Sequence, residues 1–200
     1  MVRKRRTPGE LRRACLDEAR RQLRAEGAEK LSLRTVARRL GVSHQAPYKH
    51  FSSKEALLAE LVRESFDDFA RHLESVELTD DPSQDLRSLG VSYVRYALSH
   101  PAEYRLMFGT PLPDPRQHPE MTAQACAALE LLEDTLVRLQ PSPSSGLDAL
   151  FAWSTLHGLS TLLQTRSCEL RLTAPQEEAL AHTLECVCRG LSLAHPEEDV

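Results

Sequence analysis

The chain has 200 residues, 41% of them apolar and 5% aromatic, with a net charge of −4; this suits one or two compact helical units and excludes a disordered chain. No apolar run reaches the length of a membrane span and no apolar segment follows the basic N-terminus, so a cytoplasmic protein with no membrane partner is expected. The net figure hides an asymmetry: residues 1–63 hold 16 basic against 7 acidic side chains, +9, and the remainder holds 9 against 22, −13. A basic end on an acidic body is the electrostatic footprint of a molecule that presents one end to a polyanion.

In chain order, Arg3, Lys4, Arg5, Arg6 and Pro8 form a short basic arm, residues 1–8, suited to a minor groove or to phosphates. The spacing of Cys15, Leu16, Ala19 and Leu23 predicts a first helix over Glu10 to Glu26, ended by Gly27. Residues 31–57 then hold three helix starts. Ser32 is expected to cap a two-turn helix with Leu33, Val36, Ala37 and Leu40 inward, and Gly41 to end it in the left-handed conformation. Val42 returns to the core, and Ser43 caps a second short helix carrying His44, Gln45, Ala46, Tyr48, Lys49 and His50, which Phe51 closes onto the core. Pro47 lies in its first turns and restrains Ala46. Ser52 and Glu55 form a capping box for a third, longer helix.

Two short helices joined by a tight glycine turn make a helix-turn-helix, the unit whose second helix enters a major groove. Its outward residues, His44, Gln45, Tyr48, Lys49 and His50, suit base edges or phosphates. A plain helical hairpin with a solvated face has the same pattern. What favours nucleic acid is that the positive charge coincides with the hairpin.

The helix from Ser53 to about Val76 carries a broad apolar stripe, including Leu57, Leu61, Val62, Phe66, Phe69 and Leu73, and is expected to connect two cores. Asp81 with Pro82 and Gln84 restarts the chain in a helix whose inward residues are Leu86, Leu89, Gly90, Tyr93, Val94 and Ala97. Pro101 and Glu103 open a shorter helix with Tyr104, Met107 and Phe108. Four prolines make residues 110–119 a loop, and a helix from about Met121 to Leu139 follows. The last two helices are expected over Leu147 to Ser167 and Pro175 to Ala194, the latter capped by Thr173.

The run Val36-Ala37, three residues, Leu40-Gly41-Val42-Ser43, four residues, Tyr48-x-His50-Phe51, two residues, Lys54-Glu55-x-Leu57 resembles the DNA-binding signature of the tetracycline-repressor (TetR) family of bacterial regulators over residues 9 to 65. Trp153, His157 and Gly158 are similar to the Trp, His-Gly signature of one C-terminal subgroup. The resemblance implies an all-α fold of about nine helices: a three-helix DNA-binding domain at 9–53, a connecting helix at 54–78, and a helical bundle at 79–200 for effector binding and dimerisation. It implies that Tyr48, His50 and Lys54 meet phosphates and that Ser43, His44, Gln45 and Lys49 sit where bases are read, with Arg34, Thr35 and Ala46 completing the contact. The partners expected are an operator duplex, a small-molecule effector and a second copy of the chain. The function expected is sequence-specific repression, relieved when the effector binds; the alternative is a ligand-binding or enzymatic helical bundle with an incidental basic end.

The effector pocket is expected from the polar-tipped stripe Trp153, His157, Ser160 and Gln164, faced by Phe66, Tyr93, Tyr104 and Phe108; ordinary core packing is the competing reading for these residues. The dimer interface is expected from Leu150, Ser154 and Gly158 together with the seam Leu180, Leu184, Val187 and Leu191. No phosphate loop, nucleophile elbow or carboxylate pair appears, so neither catalysis nor a cofactor is expected. The five cysteines, Cys15, Cys126, Cys168, Cys186 and Cys188, read as reduced thiols. His182 and Cys186 share a helix face but supply two ligands only, and Cys188 points elsewhere; a metal would need Cys168 or a second subunit, and none is expected.

Overall fold

The computed structural model describes residues 7–109, 112–139, 144–165 and 175–194. The arm at Arg3 to Arg6, Cys168 and the Thr173 cap lie outside them. The described residues form eight α-helices and one 3-10 turn: α1 Pro8–Glu26, α2 Leu33–Leu40, the turn Pro47–Lys49, α3 Lys54–Glu74, α4 Pro82–Ser99, α5 Pro101–Phe108, α6 Pro119–Leu139, α7 Ser145–Gln164 and α8 Gln176–Ala194. The fold is all-α, with an N-terminal helix-turn-helix and a C-terminal helical domain. No helix among the described residues is long and apolar enough to cross a membrane.

Local chemistry accounts for the helix ends. Thr7 and Glu10 form a reciprocal capping box, with Glu10 N donating to Thr7 Oγ1 and Thr7 N donating to Glu10 Oε2, so α1 begins at Pro8 rather than Glu10. Gly41, at φ 63° and ψ 39°, ends α2 by donating its N–H to Ala37 and Arg38 carbonyls, the left-handed stop that its lack of a Cβ permits. Asp81 caps α4 through the Ser83 and Gln84 amides, with Pro82 at the first helical position. Two expected caps differ. Ser32 occupies the position before α2 with extended backbone, yet its side chain makes no cap bond. The cap of α3 is Ser53, not Ser52: its Oγ accepts from Ala56 N at 3.0 Å. A cap reaches the free amide three residues ahead, and that geometry moves the helix start one residue on.

The chain divides into two compact units, Met1–Asp67 with Ala102–Gln124, and Asp68–Pro101 with Ala125–Val200. α3 and α6 each run from one unit into the other. In the first unit α1 packs on α2 and both touch the 3-10 turn, around Leu16, Val36, Phe51, Leu57 and Leu61, all nearly inaccessible. Burial of each of these large apolar side chains contributes roughly 1.5–3 kcal/mol, and Phe51 at the end of the turn belongs to this core. The second unit packs α4 on α7 and α8, and α7 on α8, around Leu86, Leu136, Ala149, Ala152, Val187 and Leu191.

Candidate nucleic-acid interface

The element expected to read bases is tighter than the helix expected from Ser43. Ala46 N donates to Ser43 O at 2.9 Å, Lys49 N to Ala46 O at 3.3 Å and His50 N to Pro47 O at 2.9 Å, all three-residue spacings. Pro47 explains this. It has no N–H with which to close a four-residue bond to Ser43 O, so the turn closes through the residue before it. Ala46 keeps helical angles, φ −62° and ψ −44°, although a following proline disfavours them. Pro47 is itself buried, as is Phe51. These two anchors fix the element from beneath, a role for Pro47 that the sequence did not suggest.

Above the anchors the polar set points outward. Ser43, His44, Gln45, Tyr48 and Lys49 are exposed, Tyr48 by 47%, while Ala46 and His50 are half-buried. On α2, Arg34 is exposed and Thr35 half-buried. Lys54 is exposed too, but its Nζ donates to Glu29 O at 2.8 Å, a tie from the first turn of α3 to the α1–α2 connection. All ten expected contact residues therefore belong to the first unit, none is fully buried, and they gather on α2, the reading turn and the start of α3.

Ion pairs that periodicity did not reveal hold this surface. Arg12 lies 5.5 Å over the Phe51 ring and 2.9 Å from Glu60, which also meets Arg63. Burial alone would raise the Glu60 carboxyl, but bonds from Arg63 and Arg12 outweigh it and hold it below the usual carboxylate range. Arg13 and Arg20 share Glu64. Arg39 bridges Glu18 and Glu26, and Arg24 meets the buried Glu103 at 2.6 Å. Much of the excess positive charge on α1 thus braces the helices, whereas Arg34, His44 and Lys49 stand exposed on α2 and the turn. The signal in the sequence was the interleaving of Arg and Glu over α1 and α3; the partners could be known only from the packing.

The expected effector-pocket residues fall into two sets. Phe66, Tyr104 and Phe108 stack together in the first unit, with Phe66 and Phe108 edge to face at 5.5 Å. In the second unit Tyr93 and Trp153, 6.2 Å apart, line a cavity of about 20 Å³ with Leu73, Leu89, Gly90, Leu131, Leu132 and Leu156. That space is room for one water molecule. Gln164 lies elsewhere and donates to Ala97 O at 2.8 Å. Ser160 is fully buried, its Oγ without a partner among the described residues. His157 is half-buried, and desolvation lowers its pKa, so the neutral imidazole is favoured. The leucines of the cavity were missed because they share the ordinary core pattern.

Among the expected interface residues, Leu150, Ser154 and Gly158 are exposed on α7. The α8 seam is different. Leu184, Val187 and Leu191 are buried within their own chain and Leu180 is half-buried, so this seam is core. Periodicity marks a buried face without saying against what it is buried. The outward face of α8 carries Ala181, His182, Glu185, Cys186, Arg189 and Gly190.

A helix-turn-helix in one unit and a bundle of α4, α7 and α8 in the other define an all-helical protein of the helix-turn-helix class. Two family descriptions match: "Bacterial regulatory proteins, tetR family" over residues 16–61 and "Tetracyclin repressor-like, C-terminal domain" over residues 86–187. The chain belongs to the TetR family. It is 34% identical over 107 residues to the HTH-type transcriptional regulator Mb1846 of Mycobacterium bovis, covering 52% of this chain and 46% of that one; the chain spans about half the length of the curated relatives it matches. A solved structure of a protein of unknown function from Rhodococcus sp. RHA1 superposes with a TM-score of 0.78 at 28% identity, over 95% of this chain and 98% of that one. The TetR family transcriptional regulator PfmR from Thermus thermophilus, at 22% identity, shares the fold with a TM-score of 0.65, covering 88% of this chain and 97% of that one.

Proposed function

We propose that this chain is a sequence-specific DNA-binding repressor that acts as a homodimer in the cytoplasm and leaves a palindromic operator when a small molecule binds its C-terminal part. The observation that carries the reading is the outward set Ser43, His44, Gln45, Tyr48 and Lys49 above the buried Pro47 and Phe51. Base readout needs side chains on a rigid mount, and this is one. Residues 9–53 form the reading head, 54–78 the connection, and 79–200 the effector and dimer region. The exposed Leu147, Leu150 and Phe151 of α7 support the dimer, since adjacent apolar side chains left in water mark an association surface.

The space around Tyr93 and Trp153 is apolar and has a volume of only about 20 Å³, room for one water molecule. An effector therefore binds a more open arrangement of the same helices and draws the population toward it by its differential affinity. Coupling of roughly 1–3 kcal/mol changes operator occupancy about 5- to 150-fold, and α3, which is shared by both units, is the covalent path for it. No catalytic role is assigned to any residue.

The test is a mobility shift of the purified protein on the DNA upstream of its own gene, at two salt concentrations and with unrelated competitor. The reading predicts a discrete complex that survives competitor and weakens with salt. A folded dimer that forms only complexes dispersed by competitor would favour the bundle reading.

A further inference from the structure

We infer that His182 and Cys186 are one half of a zinc site, completed by the same two residues of a second copy. On α8 the Cys186 Sγ lies 3.6 Å from His182 Nε2, and both side chains are exposed. Tetrahedral zinc holds an imidazole nitrogen at about 2.0–2.1 Å and a thiolate at about 2.3 Å, which sets the two donor atoms about 3.5–3.6 Å apart. The pair thus stands at the bite of a zinc chelate, and through Nε2, the outer ring nitrogen. One chain offers no group of three ligands among the described residues. A second copy supplies the other two, giving a His2Cys2 set, the composition of closed structural zinc sites.

The placement of the pair favours such a meeting. His182 and Cys186 lie near the middle of α8, Gln176–Ala194, so a second copy of α8 crossing there would bring the two pairs together. On the same outward face, Ala181 and Gly190 are small enough for close approach, and a Cβ at Gly190 would stand 3.9 Å from the Phe151 ring. The face is therefore continuous with the exposed apolar stripe of α7, where Leu147 is 70% exposed. The occupant argued for is a second copy of this chain, so the site rests on the homodimer reading. On binding, each of two thiols gives its proton to solvent and each sulfur donates an electron pair to the ion, while the two imidazoles bind neutral; the dication with two thiolates leaves the site without net charge. The ion acts as a clasp across the copies and has no part in DNA contact.

The experiment is a titration of the reduced full-length protein with cobalt(II), with sedimentation velocity on the same sample. The site predicts visible bands of tetrahedral cobalt with thiolate charge transfer in the ultraviolet, saturating at one ion per two chains and bleached by zinc. Cys186→Ser and His182→Ala should each abolish saturable uptake, and Cys126→Ser should leave it intact. A dimer that takes up no tetrahedral cobalt overturns the site and leaves the dimer standing. A monomer that takes up none overturns the dimer reading and the site with it. Uptake of one ion per chain, or uptake that survives Cys186→Ser, overturns the shared geometry.

Discussion

Lys54 donates its ammonium to the Glu29 carbonyl at 2.8 Å, so the side chain that the family resemblance places at a phosphate is also what ties the start of α3 to the α1–α2 connection. An ammonium has three donors, and two remain for an anion. Replacing Lys54 by Ala should weaken binding to every duplex and lower the magnitude of the salt slope by about 0.9, the share of one phosphate contact. Binding at several salt concentrations, read beside thermal unfolding, separates the two roles. An unchanged slope with a lowered melting temperature would confine Lys54 to the connection.

Gln45 is exposed on the reading turn and makes none of the ion pairs that brace the head. Gln45→Ala should leave the melting temperature unchanged and relax the preference at one base pair per half-site, by roughly 1–3 kcal/mol if the amide makes a bidentate contact with adenine. A selection of operators from a random pool reads this directly. Equal loss over all sequences would mean that Gln45 reads no base.

Asp85 is 1% exposed, and burial would raise its carboxyl. The Thr79 amide and hydroxyl, donating to Oδ1 at 2.7 and 2.9 Å, and Arg138 at 3.1 Å from Oδ2 outweigh burial and hold it below the usual carboxylate range. With the folded value below an unfolded one of about 3.9, the contribution is complete above the unfolded value and is lost as pH falls through the folded one. Asp85→Asn should therefore cost stability at neutral pH, and the gap from the parent should close in acid. Thermal unfolding of both proteins from neutral to acidic pH tests this; a gap that does not change with pH contradicts it.

Two glycines should respond in opposite ways. A Cβ at Gly90 would run into the buried Leu184 side chain, so Gly90→Ala should destabilise the second unit by about 1–3 kcal/mol. A Cβ at Gly158 meets nothing, and Ala there should stabilise α7 by roughly 0.5–1 kcal/mol. Gly158→Leu should nevertheless loosen the proposed dimer, which sedimentation equilibrium would show as a rise in the dissociation constant. A dimer indifferent to the added bulk removes α7 from the interface.

Much of the helical framework was legible because caps and stops are local. Gly41 and the Asp81-Pro82 pair act within a few residues of themselves, and each behaves as its type requires. Ser32 and Ser52 show the limit, since several serines near a helix start compete and backbone geometry decides among them. The turn differs in form from the helix expected from Ser43 because a missing proline amide changes which carbonyl is satisfied. Tertiary facts were the least legible. The spacing of Leu184, Val187 and Leu191 fits a partner or the chain's own core equally well, and aromatic type alone did not separate Phe66, Tyr104 and Phe108 from Tyr93 and Trp153.

Two identical heads reading one duplex should be visible in a hydroxyl-radical footprint of the operator complex. The expected result is two related protected half-sites on one face of the duplex, about one helical turn of 34–36 Å apart or a multiple of it, both lost on adding the effector. A single protected half-site, or protection spread evenly along the fragment, would contradict it.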